Sequence, residues 1–232
     1  MFVVIEGIDG SGKGTVTRAL SDRLIDEGVI VDTVSFPRYT DNLYGGIVGR
    51  YLNGEFGEST HPYLHGTLYS VDRFESKPFI EAALSYNDVV IADRYVPSNL
   101  CYSALKCKSE EEADEVCRSF VRLEYEIFGL PVPDVIFFLD VPVKFAVQNI
   151  AKKAARDYTD QPADIYEADE QYLSKVRRFY RAKLMGVHPP TRFEPVECVR
   201  NGHLISIDSV VEKVHNVLTQ MRKGDFNGTT EA

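Results

Sequence analysis

Gly7-Ile8-Asp9-Gly10-Ser11-Gly12-Lys13 is the stretch on which the fold turns. It follows a short apolar run over 2–5 and opens a helical pattern over 12–27. Glycines in a strand-to-helix turn let backbone N–H groups point inward around a phosphate, and the helix N-terminus adds partial positive charge. Lys13 supplies a mobile cation for the outer phosphates, and the whole has the spacing and context of a phosphate-binding P-loop. An incidental Gly-rich turn is the alternative, and the flanking elements argue against it.

Working outward, further apolar runs occur at 29–36, 88–92, 134–139 and 203–207, giving five expected strands. Several are continuous (VVI, DVVIA, VIFFL), as in strands buried on both faces of a parallel sheet. Helical patterns fill 63–84, 110–128, 142–155, 166–184 and 209–221. Strands alternating with helices predict an α/β, three-layer P-loop NTPase fold, with a five-stranded parallel sheet flanked by helices and a short lid. One domain is expected over 1–222, with the lid at about 152–166 and a flexible polar tail at 223–232. Two polar intervals, 37–62 and 157–164, read equally as functional loops or as surface excursions.

The chain has 232 residues, of which 44% are hydrophobic and 26% charged, the mixture of an ordinary globular domain. Its formal charge is −9, a sign that repels polyanions and argues against a nucleic-acid partner. No apolar run approaches the roughly 20 residues of a membrane-spanning helix, so no membrane partner is expected. Four cysteines without CxxC spacing suggest free thiols in a reducing, cytoplasmic compartment, with a nuclear or organellar location left open.

A P-loop gives nucleotide binding without naming a reaction. A GTPase switch would carry N-K-x-D, and no Asn here is followed by Lys. The Mg2+-ligating hydroxyl that usually follows the lysine is displaced: Gly14 intervenes before Thr15, which points to a more water-coordinated ion. A second constellation, Asp93 to Tyr102, lies at the end of the third expected strand, where open α/β sheets bind ligands. Asp93 there can hold Mg2+ or its waters, and Arg94 can grip a phosphate. A salt-bridged turn is the plainer reading of this segment alone.

IEGIDGSGKGT, FPRYT (36–40), TLYSVDRFE (67–75) and DRYVPSNLCYSA (93–104), in that order, resemble the thymidylate kinase family. The resemblance implies ATP- and Mg2+-dependent phosphorylation of dTMP to dTDP by a homodimer. It implies that Gly7, Gly10, Ser11, Gly12, Lys13, Gly14 and Thr15 bind ATP, while Phe36, with Pro37, and Tyr69 bracket the base. Arg73 would donate to the base O4, and Ser98 and Asn99 would read its N3 side. Tyr102 would lie under the deoxyribose, assisted by Tyr166, and Arg94 and Arg38 would hold the acceptor phosphate. Asp9 would reach the sugar 3′-hydroxyl and the metal-bound phosphates, making Asp9, Thr15 and Asp93 the metal candidates. In such kinases one transition-state arginine comes from the P-loop or the lid. Here Gly10 and Ser11 leave it to the lid, so Arg156, then Lys153, is assigned the clamp, beside Lys152. An ordinary basic helix end would look the same. Gln148 and Asn149 stand where relatives often have an arginine. A kinase for dUMP or another pyrimidine nucleotide, and a switch without acceptor activity, are the alternatives.

Overall fold

Phe2–Gly7 (β1) is buried along its whole length, as the apolar run over 2–5 leads one to expect, and the rest of the sheet is built around it. In the computed structural model, which describes residues 1–56, 61–152, 169–182 and 191–223, it is flanked by Val89–Asp93 (β3) and Val135–Asp140 (β4). Val31–Ser35 (β2) and Arg192–Glu197 (β5) complete a parallel sheet of order β2-β3-β1-β4-β5. The order changes direction at β1, between β3 and β4, and such a switch leaves a crevice at the strand C-termini.

The helices follow from the connections a parallel sheet requires. Lys13–Asp26 (α1) joins β1 to β2; Leu43–Leu52 (α2) and Pro62–Tyr86 (α3) join β2 to β3. Between β3 and β4 come Val96–Ala104 (α4) and Glu110–Val121 (α5), which runs on into a wide π-helical turn, Arg122–Ile127. Val143–Ala151 (α6) and Glu170–Ala182 (α7) precede β5, and Ile207–Arg222 (α8) closes the described chain by packing on α1. Ser109 and Ser206 cap α5 and α8 by accepting from the backbone N–H three residues on. Among the described residues no helix is long and apolar enough to cross a membrane.

Two expectations need correction. The fifth strand is Arg192–Glu197, and 203–207 is not part of the sheet. RFEPVE mixes charges with Pro195, so it lacks an apolar signature; as an edge strand paired only with β4 it tolerates a residue without an N–H. His203–Leu204 (β7) instead pairs antiparallel with Val199–Arg200 (β6), around an Asn201-Gly202 turn with both residues at positive φ. The interval 37–62 is likewise not all loop, because α2 lies within it. Its glycines hide the helix in sequence, yet Val48, Tyr51 and Leu52 are buried and Asn42 caps the first turn by accepting from Gly45 N. The other polar interval, 157–164, lies outside the described residues.

Candidate active site

The P-loop leaves β1 with Gly10 and Gly12 at φ 76° and 86°, a region that side-chain-bearing residues avoid. Lys13 folds back over the loop it follows: Nζ donates to Gly7 O (3.1 Å) and Ile8 O (3.0 Å). The ammonium is thus held within the cradle. Burial, with the like charge of Arg94 in the same sense, pushes the Lys13 pKa down to about 8.

Helix α6 roofs this loop. A Cβ on Gly10 would lie 2.2 Å from Ala146 O and 2.9 Å from Ile150 Cγ1, so no side chain fits while α6 keeps its place. Asn149 Nδ2 fastens the contact by donating to Gly10 O (2.9 Å). Asn149 thus ties α6 to the phosphate loop, and the packing leaves no room for an arginine at Gly10.

Beside the loop, β3, the strand next to β1, ends in Asp93 and Arg94, the latter at φ 68°. Arg94 Nη2 donates to Asp9 Oδ1 in a short ion pair, and Nη1 donates to Ser98 Oγ (2.9 Å). Tyr102 O–H donates to the other Asp9 oxygen (2.6 Å), and the guanidinium lies over the Tyr102 ring. Behind them sits Glu6, fully buried, accepting from Tyr95 N (2.9 Å), Ser98 N (3.1 Å), Ser98 Oγ (2.7 Å) and Tyr180 O–H (2.8 Å). Burial raises the Glu6 pKa, while Arg94 and these donors act in the opposite sense. One carboxylate of β1 thus organises the start of α4 and anchors α7.

The far end of the cleft is aromatic. Phe36 is buried, 5.8 Å from the Tyr95 ring, and Tyr69 on α3 lies 4.8 Å from the His65 ring. Arg73 is also buried: Nε and Nη2 donate to Glu124 (2.5 and 2.6 Å), and among the described residues Nη1 has no partner. Asn99 Nδ2 donates to the same Glu124 (2.7 Å), and Asn99 Oδ1 accepts from Ser103 O–H (3.1 Å).

One cleft of about 740 Å³ brings together Asp9, Gly10, Gly12, Lys13, Gly14, Thr15, Phe36, Pro37, Tyr69, Arg73, Asp93, Arg94, Ser98, Asn99 and Tyr102, while Gly7 and Ser11 lie behind its lining. Arg38 is not brought in. Its guanidinium pairs with Asp41 (3.1 Å) and lies 4.6 Å over the Phe79 ring. Lys152 joins the lining, whereas Lys153, Arg156 and Tyr166 lie outside the described residues. Sequence reasoning missed Arg18, Tyr39 and His65 in the lining, and Glu6 and Glu124 behind it. Only Glu6 carried a signal, a lone acid in an otherwise apolar strand.

No group of three or more His, Cys, Asp or Glu able to hold a metal ion occurs among the described residues. Asp93 Oδ2, however, would lie 3.2 Å from a Cβ on Gly14, so the glycine after Lys13 gives that carboxylate room at the P-loop mouth beside Thr15. One carboxylate, phosphate oxygens and water make a donor set that suits Mg2+.

A P-loop joined to a half-buried arginine–carboxylate cluster at the switch point of a parallel sheet defines a phosphotransferase of the P-loop class. The thymidylate kinase family model matches residues 5–186, and the chain belongs to that family. It is 34% identical over 181 residues to the thymidylate kinase of Mycobacterium tuberculosis, covering 78% of this chain and 84% of the relative. It is 28% identical over 220 residues to a probable thymidylate kinase of Thermococcus kodakarensis, covering 91% and 98%. The solved structure of thymidylate kinase from Candida albicans superimposes with a TM-score of 0.69 at 22% identity, over 95% of this chain and 92% of the other, and supports the fold.

Proposed function

We propose that the chain transfers the γ-phosphoryl group of ATP to the phosphate of dTMP, giving dTDP and ADP. The observation that carries this reading is the convergence on one cleft of a phosphate loop holding Lys13 and an arginine, Arg94, fixed by Asp9 and Ser98. Phosphoryl transfer needs in-line positioning and neutralisation of charge on the equatorial oxygens, with little covalent help. Loop amides and Lys13 take the donor phosphates; Arg94 takes the acceptor phosphate. Asp9 and Glu6, through Ser98, keep Arg94 aimed into the cleft, so little reorganisation remains at the moment of transfer.

On the acceptor side, Phe36 and Tyr69 bracket the base and Arg73 offers Nη1 to O4. Asn99 reads N3; Ser98, whose hydroxyl is taken up by Arg94, Glu6 and Tyr180, supports Arg94 instead. Tyr102, held by Asp9, lies under the sugar and leaves little space for a 2′-hydroxyl. The transition-state clamp is assigned to Arg156 and Lys153, with Tyr166 at the sugar, on the family resemblance alone. Asp93 and Thr15, with Asp9 nearby, would hold Mg2+ largely through water. When bound, that ion would supply charge neutralisation for the donor phosphates. The chain acts as a homodimer in this reading, supported by the family and by exposed Leu43, Leu64 and Phe74 on α2 and α3.

Coupled ADP release tests the activity. ADP appears only when ATP and an acceptor are both present, and dTMP is the best acceptor. ATP hydrolysis that ignores dTMP would contradict the reading.

A further inference from the structure

The floor of the base end is a closed hydrogen-bond network built on one residue. Glu124 lies on the π-helical turn that follows α5, and it is fully buried while Arg122 and Glu126 on the same turn are exposed. Wide turns of this kind recur at functional sites, because they re-aim a side chain without ending the helix. Glu124 Oε2 accepts from Arg73 Nε (2.5 Å), and Oε1 accepts from Arg73 Nη2 (2.6 Å), Asn99 Nδ2 (2.7 Å) and Ser70 O–H (2.9 Å). Every neighbour is a donor, so Glu124 acts as an acceptor only.

Proton positions now propagate outward. Asn99 turns its NH2 toward Glu124 Oε1 and Gly66 O (3.1 Å); a flipped amide would set its oxygen against both. Asn99 Oδ1 therefore faces the other way and accepts the one proton of Ser103 Oγ (3.1 Å). Having given that proton, Ser103 Oγ accepts from His65 Nδ1 (3.0 Å), so the ring carries its proton on Nδ1. Arg73, Asn99 and His65 all line the cleft. An amide oxygen has two lone pairs, and Ser103 uses one.

We infer, resting on the acceptor reading above, that Glu124 is a positioning residue that sets the donor and acceptor polarity of the base site. It holds Arg73 as a fixed donor and Asn99 as a carbonyl acceptor. That polarity matches the O4 acceptor and N3–H donor of thymine. It opposes cytosine, whose N4 donates and whose N3 accepts, leaving two buried groups unpaired.

The test compares Glu124→Gln with wild type, measuring kcat and KM for dTMP and dCMP at saturating ATP and Mg2+. Glutamine keeps the size but presents an amide donor, so Arg73 loses its counter-ion and Asn99 loses the strongest of the acceptors that hold its NH2, Gly66 O remaining. The dTMP KM should rise about 10- to 100-fold with kcat changed far less, and the dTMP/dCMP ratio of kcat/KM should fall at least about tenfold. Glu124→Asp, which keeps the charge, should restore part of that ratio, and the ATP KM should stay unchanged. Should Glu124→Gln fail to fold, Glu124→Asp decides, since it keeps the charge but withdraws the carboxylate from Arg73 and Asn99; its ratio should fall several-fold below that of the wild type. An unchanged ratio in a folded variant overturns the role of Glu124 while leaving the activity intact. A wild type that turns over dTMP no better than dCMP overturns the acceptor reading itself.

Discussion

The two ends of the cleft are built from different materials. The donor end is mainly backbone: a seven-residue loop whose glycines open a cradle, with one lysine in it and one helix, α6, resting on Gly10. The acceptor end is made of buried side chains, with Glu6 and Glu124 each collecting donors from distant segments. Phosphates look alike on every nucleotide, so loop amides suffice for them. A base and a sugar must be told apart, which takes groups of fixed polarity held by satisfied networks.

If the division is real, variants should damage one end without the other. The largest effect belongs to Lys13→Met, which removes the ammonium held by Gly7 O and Ile8 O within the cradle. Steady-state kinetics should show kcat lower by about 100- to 1000-fold, with the dTMP KM altered little. Glu6→Gln is the matching change at the acceptor end. It replaces an acceptor of four bonds and should cost about 1–3 kcal/mol in urea unfolding while raising the dTMP KM more than the ATP KM. A Glu6→Gln variant impaired equally for both substrates would dissolve the division.

The smallest effect is in pH. Unliganded Lys13 loses its proton at about 8, and bound phosphates raise that value, so ATP binding takes up a proton above it. ATP affinity measured by calorimetry should fall as pH rises through 8, by up to about tenfold per unit, while dTMP affinity follows less steeply. In folding the group has the opposite slope. The unfolded lysine keeps its proton to 10.5, so its contribution to stability grows between pH 8 and 10.5 and is absent below.

The same division governs what could be read from sequence. Backbone chemistry is local, so glycine spacing between a strand and a helix exposed the donor end at once. Strands β1, β3 and β4 were legible because both of their faces are covered, and half-exposed β2 was legible from the apolar run that contains it. Edge strand β5 was not, since one open edge lets it carry charges and Pro195. Helix α2 was hidden by glycines, and α4 by reading as a motif what is also a buried helix with Pro97 in its first turn. Glu124 stood among many acids of an amphipathic helix. Its role arises from Arg73, 51 residues earlier, and no local pattern records that pairing. Arg38 shows the converse: a motif position whose side chain found Asp41 and Phe79 nearer than the cleft.

The charge of −9 and the cationic cleft are compatible for the same reason. Lys13, Arg18, Arg73, Arg94 and Lys152 converge on one cleft, while acidic residues dominate the chain as a whole.

The most direct test of the account is a coupled ADP-release panel over dTMP, dUMP, UMP, dCMP and AMP, at saturating ATP and Mg2+. The account predicts acceptor-dependent ADP release with the highest kcat/KM for dTMP, UMP far behind because of Tyr102, and dCMP rejected by Arg73 and Asn99. Equal turnover of UMP and dTMP, or ADP release independent of any acceptor, would contradict it.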